Sequence, residues 1–94
     1  MAILRIQHAV PSYDDWKRVF DSDPLDRKSS GVQRYEIHRP ASDPNYVMID
    51  LHFASAEEAE LLHGRLRDLW AGPGAAVMHN PEGRVVETVE SIEL

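Results

Sequence analysis

The chain has no cysteine, which excludes a disulfide framework, a thiolate metal site and a thiol redox pair. It also lacks any apolar run near the roughly 18 residues that cross a bilayer. The first residues, Met1-Ala2-Ile3-Leu4-Arg5-Ile6, carry neither the basic region nor the long apolar core of a signal peptide. Cations are scarce: 10 Lys and Arg stand against 16 Asp and Glu, a formal charge of −6. That is the wrong sign for a nucleic-acid backbone or an anionic membrane as partner. No Gly-rich phosphate loop and no Ser-His-Asp arrangement are present. Among 94 residues there is no repeat, low-complexity tract or linker, so residues 1–94 are expected to form one domain, located in the cytoplasm. A domain of this size buries only about two-thirds of the surface its unfolded chain exposes, so further burial against a partner would stabilise it.

What is present is a clear order of elements. Ile3 to Val10 alternates, with Leu4, Ile6, His8 and Val10 on one face, the period of a strand. Pro11 ends it, and Ser12 with Asp15 caps a helix on whose buried face Tyr13, Trp16, Val19 and Phe20 recur. Asp23-Pro24 restarts the helix after a kink, and Gly31 is the expected left-handed stop. Val32–Arg39 and Tyr46–Phe53 read as strands joined by Pro40-Ala41-Ser42-Asp43-Pro44-Asn45. Ser55-Ala56-Glu57-Glu58 is a capping box that opens a helix to about Ala71, with Ala59, Leu62, Leu66, Leu69 and Trp70 as its apolar stripe. Gly72-Pro73-Gly74 stops this helix, and Arg84–Leu94 reads as the last strand. The order βαββαβ predicts an α+β, ferredoxin-like fold, a four-stranded antiparallel sheet with both helices on one face.

Two helices cover one face of such a sheet. The other face is expected to carry Ile3, Arg5, Gln7, Val32, Arg34, Glu36, His38, Met48, Asp50, His52, Val85, Glu87 and Val89. This mixture of apolar side chains and opposite charges suits a wet interface, so pairing of two sheets across a two-fold axis, as a homodimer, is expected. A solvated face laced with ion pairs is the alternative.

Several of these features come together in a known family. Tyr13-Asp14-x-Trp16-Lys17-x-x-Phe20-Asp21, Gly31-Val32, Arg39 before Asp43-Pro44-Asn45, Phe53, Glu58-Ala59 and Leu66-Arg67-x-Leu69-Trp70 resemble the dimeric α/β-barrel superfamily. Its best-known branch is the antibiotic biosynthesis monooxygenases, and the likeness is closer to a branch of small, uncharacterised bacterial proteins, some labelled cyclases. The resemblance implies a homodimer in which two sheets form a barrel, with a cavity between each sheet and its own helices. It also implies cofactor-independent oxygenation of aromatic, polyketide-like substrates, or haem degradation in another branch. Haem-degrading members place an Asn, a His and a Trp around the haem. Here the asparagines are Asn45 and Asn80, both in expected turns, so neither haem nor another cofactor is expected.

The candidate site follows. His8 should point toward the helices, as a general base or hydrogen-bond partner in an apolar pocket, or else as a core histidine satisfied by the protein. Tyr13, Trp16, Phe20, Tyr35 and Trp70 could line a cavity for a flat apolar ligand or simply fill the core. His63 flanks the second helix and either closes the pocket or lies at the surface. The segment from Gly72 to Asn80 could be a lid over the cavity, a plain connection or an arm to a partner subunit. Glu36, His38, Asp50 and His52 lie across neighbouring strands and are read as an interface network rather than a metal site. The expected function is a cofactor-free oxygenase, cyclase or isomerase acting on a hydrophobic aromatic metabolite. A non-catalytic ligand-binding or structural dimer is the alternative.

Overall fold

The computed structural model describes residues 1–72 and 79–94. Strand β1 (Ala2–Ala9) leads to helix α1 (Tyr13–Asp21), strands β2 (Arg34–His38) and β3 (Tyr46–Phe53), helix α2 (Ala56–Ala71) and strand β4 (His79–Glu87). The strands form one antiparallel sheet in the order β2-β3-β1-β4. This is the ferredoxin-like α+β arrangement expected from the order of elements. No helix among the described residues is long and apolar enough to cross a membrane.

Local chemistry explains the helix starts. Ser12 accepts the Asp15 amide, and Ser55 accepts the Glu58 amide while its hydroxyl donates to the Glu58 carboxylate. Each hydroxyl satisfies a backbone donor that the first turn leaves without a partner. The alternation in β1 and β3 then sets the core. Leu4 and Ile6 lie beside Leu51 and Ile49 on the face toward the helices, with Trp16 of α1 and Ala59 and Leu62 of α2 buried over them. Phe53 and Val47 are fully buried at the two ends of β3; a Phe in that state contributes about 1.5–3 kcal/mol of transfer free energy.

The structure departs from expectation in four places. First, α1 does not resume after a kink. Residues 22–31 are a string of turns, because Asp23 takes a left-handed φ of 53° and Asp26 one of 50°. Pro24 disfavours helical geometry at the residue before it, and the Asp23 side chain instead accepts the Arg27 amide at 2.9 Å. Second, β2 begins at Arg34, and Val32 packs against the core instead of facing outward.

Third, β4 spans His79–Glu87, not Arg84–Leu94. The strand takes in Pro81 because β4 lies at the sheet edge and its register against β1 shifts there, between Glu82 opposite Gln7 and His79 opposite Ala9. Beyond Glu87 the chain has no regular structure, and Val89, Ile92 and Leu94 lie exposed past the end of the sheet. Fourth, the pairing of β4 with β1 gives it the opposite phase to the one expected. Val85 and Glu87 lie opposite Leu4 and Ala2 on the helix side, whereas Glu82, Arg84 and Val86 lie opposite Gln7, Arg5 and Ile3 on the outer face. Of the proposed lid, residues 73–78 lie outside the described residues, while Gly72 caps α2 and Asn80 belongs to β4.

Gly31 has a φ of +100°, and a Cβ there would run into the Glu58 carboxylate at the start of α2. Gly31→Ala is expected to lower stability by at least about 1 kcal/mol in urea denaturation. An unchanged midpoint would show that the turn relaxes without cost.

Candidate functional site

His8 lies on the inner face of β1, opposite Val47, and only 2% of it is exposed. Its ring meets Trp16 edge-on with centroids 5.9 Å apart. Nδ1 lies 3.1 Å from the carbonyl oxygen of Ala9. A carbonyl can only accept, so Nδ1 carries the proton and Nε2 keeps its lone pair. Among the described residues Nε2 has no hydrogen-bond partner. Burial pushes the His8 pKa below its ordinary value, against the smaller opposing pull of the Ala9 carbonyl. The imidazole is therefore neutral at neutral pH, with a basic nitrogen available on the side away from Ala9.

A cleft of about 80 Å³ opens between the sheet and the helices, lined by His8, Trp16, Phe20, Leu62, Leu66 and Trp70 among others. The α1 side chains form an aromatic row because Tyr13, Trp16 and Phe20 recur at helical spacing. Tyr13 and Trp16 are 5.8 Å apart, and Trp16 stacks on Phe20 at 5.1 Å. The volume is about half that of an apolar cavity of ~150 Å³ that admits benzene. It holds part of a ring; a whole ring requires the lining side chains to move.

Four of the residues expected at the site, His8, Trp16, Phe20 and Trp70, line this cleft together. Tyr35 stands beyond Phe20, edge-on at 5.0 Å. His63 faces Gly83 of β4 and meets Trp70 edge-on at 6.1 Å. Its pKa is lowered by burial first and by Arg67 second, with Glu60 opposing.

Asp23 and Arg27 also line the cleft, and sequence reasoning passed over both. Their approach depends on the turns at residues 22–31, which read as helix; the Asp23-Pro24 pair was the available signal that the helix ends there.

On the outer face, Glu36 lies opposite Asp50 and Arg34 opposite His52. His52 Nε2 is 2.7 Å from Glu36 Oε1, and Arg5 Nε is 3.0 Å from Asp50 Oδ1. The hydrogen bond from His52 is the main cause holding the Glu36 carboxyl below its ordinary pKa. Ligand atoms of Glu36, His38 and Asp50 come within 4.8 Å of one another, a donor set that could hold a divalent cation. Both carboxylates are already paired within the chain, Asp50 with Arg5 and Glu36 with His52.

His8 supplies a pH test. Its folded-state pKa lies below the unfolded value of about 6.5. The unfolded chain thus binds the proton more readily, and stability is full above that pH and lost as pH falls through the folded value. His8→Gln should flatten this part of the stability profile. A His8 ring signal titrating at or above the unfolded value in NMR would contradict the geometry.

The sequence matches no protein-family model and no curated protein. Solved structures match over nearly the whole chain. A variant of SnoaB, a cofactor-independent oxygenase from Streptomyces nogalater, superposes with TM-score 0.74 at 14% identity, covering 97% of this chain and 95% of its own. A Deinococcus radiodurans protein assigned as an antibiotic biosynthesis monooxygenase gives TM-score 0.63 at 17% identity, covering 100% of this chain and 98% of its own. A dimeric ferredoxin-like protein from an uncultured marine organism gives 0.62 at 12%, covering 97% and 98%. The resemblance drawn from the sequence thus holds at the level of architecture: the chain has the ferredoxin-like α+β fold of the antibiotic biosynthesis monooxygenase-like proteins.

Proposed function

We propose that the cleft takes up a hydrophobic aromatic metabolite and that His8 Nε2 accepts a proton from it, in a cofactor-independent oxygenation, cyclisation or isomerisation. The observation that carries this reading is the state of His8, which is buried and neutral, with Nδ1 committed to Ala9 and Nε2 without a partner among the described residues. A neutral imidazole in apolar surroundings is a competent general base. Removing a phenolic or enolic proton leaves a delocalised anion, and that anion is the shared starting point of the three reaction types. In the oxygenation, dioxygen is the oxidant and the anion the reductant. The likeness in fold to a cofactor-independent oxygenase supports the same reading.

The small volume of the cleft, about 80 Å³, favours a second reading, a non-catalytic ligand-binding or structural dimer. One experiment separates them. With 1-naphthol as probe, the Trp16 indole N–H signal should shift on binding, and His8→Ala should weaken binding roughly three- to tenfold, the worth of one hydrogen bond, without loss of the fold. Binding with the probe recovered unchanged in the presence of dioxygen would favour the second reading. No shift at any cleft residue, or a His8→Ala chain that fails to fold, would make His8 a structural residue.

The homodimer belongs to this reading too. A hollow of about 630 Å³ on the outer sheet face is bordered by Arg5, Gln7, His38, Met48, Asp50 and Glu82. Its mixed polar and apolar rim would suit a second copy of the same face. Arg34→Glu, on that face, is expected to shift the mass in solution from two copies toward one in light scattering; an unchanged dimer would count against sheet-to-sheet pairing.

A further inference from the structure

Three of the residues lining the cleft carry titratable or charged side chains: His8, Asp23 and Arg27. The proton-acceptor role proposed for His8 leaves Arg27 without a task. Its guanidinium carbon sits 3.9 Å from the centre of the Phe20 ring and 5.1 Å from that of Tyr35. Nη1 donates to the Phe20 carbonyl at 2.7 Å and lies 3.5 Å from Asp23 Oδ1. Only 18% of the side chain is exposed. A guanidinium carries five N–H donors, and among the described residues only Nη1 donates. The group is thus held over the Phe20 ring, with its other donors uncommitted, beside an apolar cleft.

The backbone that puts it there is unusual. Asp23 and Asp26 both adopt left-handed conformations, at φ 53° and 50°, which cost more for them than for glycine. The turns are then fixed from several sides. Asp23 caps the Arg27 amide, the Ser30 hydroxyl donates to the Leu25 carbonyl, and the Val32 amide donates to the Arg27 carbonyl. A strained segment tied this firmly holds Arg27 in one place. From it runs a continuous row: Arg27 on Phe20, Phe20 stacked on Trp16 at 5.1 Å, and Trp16 against His8 at 5.9 Å.

We infer that Arg27 is an anion-recognition residue of the cleft, and that the ligand is an aromatic acid whose carboxylate meets the guanidinium while its ring lies along Phe20 and Trp16 toward His8. This rests on the proposal that the cleft is a ligand site and narrows the ligand to one class. A planar guanidinium matches a carboxylate through paired N–H donors, and such charge-assisted bonds are stronger than neutral ones. Asp23 is the element of selection, since it repels an anion that fails to engage Arg27.

The test uses benzoate and its neutral near-isostere benzamide, followed by NMR at the Trp16 indole N–H. Benzoate should bind the unaltered protein about tenfold more tightly than benzamide. Raising the salt concentration should weaken benzoate and leave benzamide unchanged. Arg27→Gln should abolish the preference, and Arg27→Lys should retain part of it. Equal binding of the two probes, or a preference that survives Arg27→Gln, overturns the role of Arg27 and leaves the cleft as a ligand site. If neither probe shifts a cleft residue, the cleft reading fails and this inference with it. Should Arg27→Gln fail to fold, the preference and its salt dependence in the unaltered protein, with Arg27→Lys, decide the matter.

Discussion

Burying one imidazole among aliphatic and aromatic side chains fixes its charge, its tautomer and the direction of its free lone pair. His8 is in that position because β1 alternates and because the inner face of the sheet is covered by α1 and α2. A charged ring would lose its hydration there without a compensating carboxylate, so burial keeps it neutral. The one hydrogen bond available, to the carbonyl of Ala9, then decides which nitrogen holds the proton. The cleft and its aromatic row take their chemical meaning from that group.

The second constraint is the turn segment between α1 and β2. A helix continuing from Asp21 would have carried Arg27 along a regular surface. Left-handed residues at Asp23 and Asp26 instead fold the chain back so that Arg27 lies on Phe20 and reaches the rim of the cleft. Local strain is accepted where several hydrogen bonds over-determine the geometry. The cost falls in a segment that contributes little to the core, which is built by β1, β3, Trp16 and α2.

The outer face follows a different logic. With no helix to cover it, it uses cross-strand pairs, Arg5 with Asp50 and Glu36 with His52. Glu36 and Asp50 face each other directly, an arrangement that would be unfavourable if each lacked its own partner. Ile3 and His52 are nonetheless buried on this side, with Ile3 between His52 and Val86 of the flanking strands and His52 bonded to Glu36.

Much of this could be read in the sequence, because its signals are local. The alternation from Ile3 to Val10 and from Tyr46 to Phe53, the serine caps at 12 and 55, and the left-handed Gly31 each depend on neighbours in the chain, and each leads to the same βαββαβ order. The facing of His8 and Trp16 toward a shared interior follows from periodicity alone. What the sequence could not supply depends on distant contacts. The last strand begins at His79 and takes in Pro81, because an edge strand tolerates a missing donor. The phase of β4 is set by its pairing with β1, which turns Val85 inward and Val86 outward. Arg27 reaches the cleft only because the turns after Asp21 return the chain to Phe20. The sequence determined which segments form strands and helices and which faces are apolar, since that information lies within a few residues. The tertiary structure decided register, the fate of the turn at 22–31 and which charged groups border the cleft, since these follow from the packing of segments far apart in the chain.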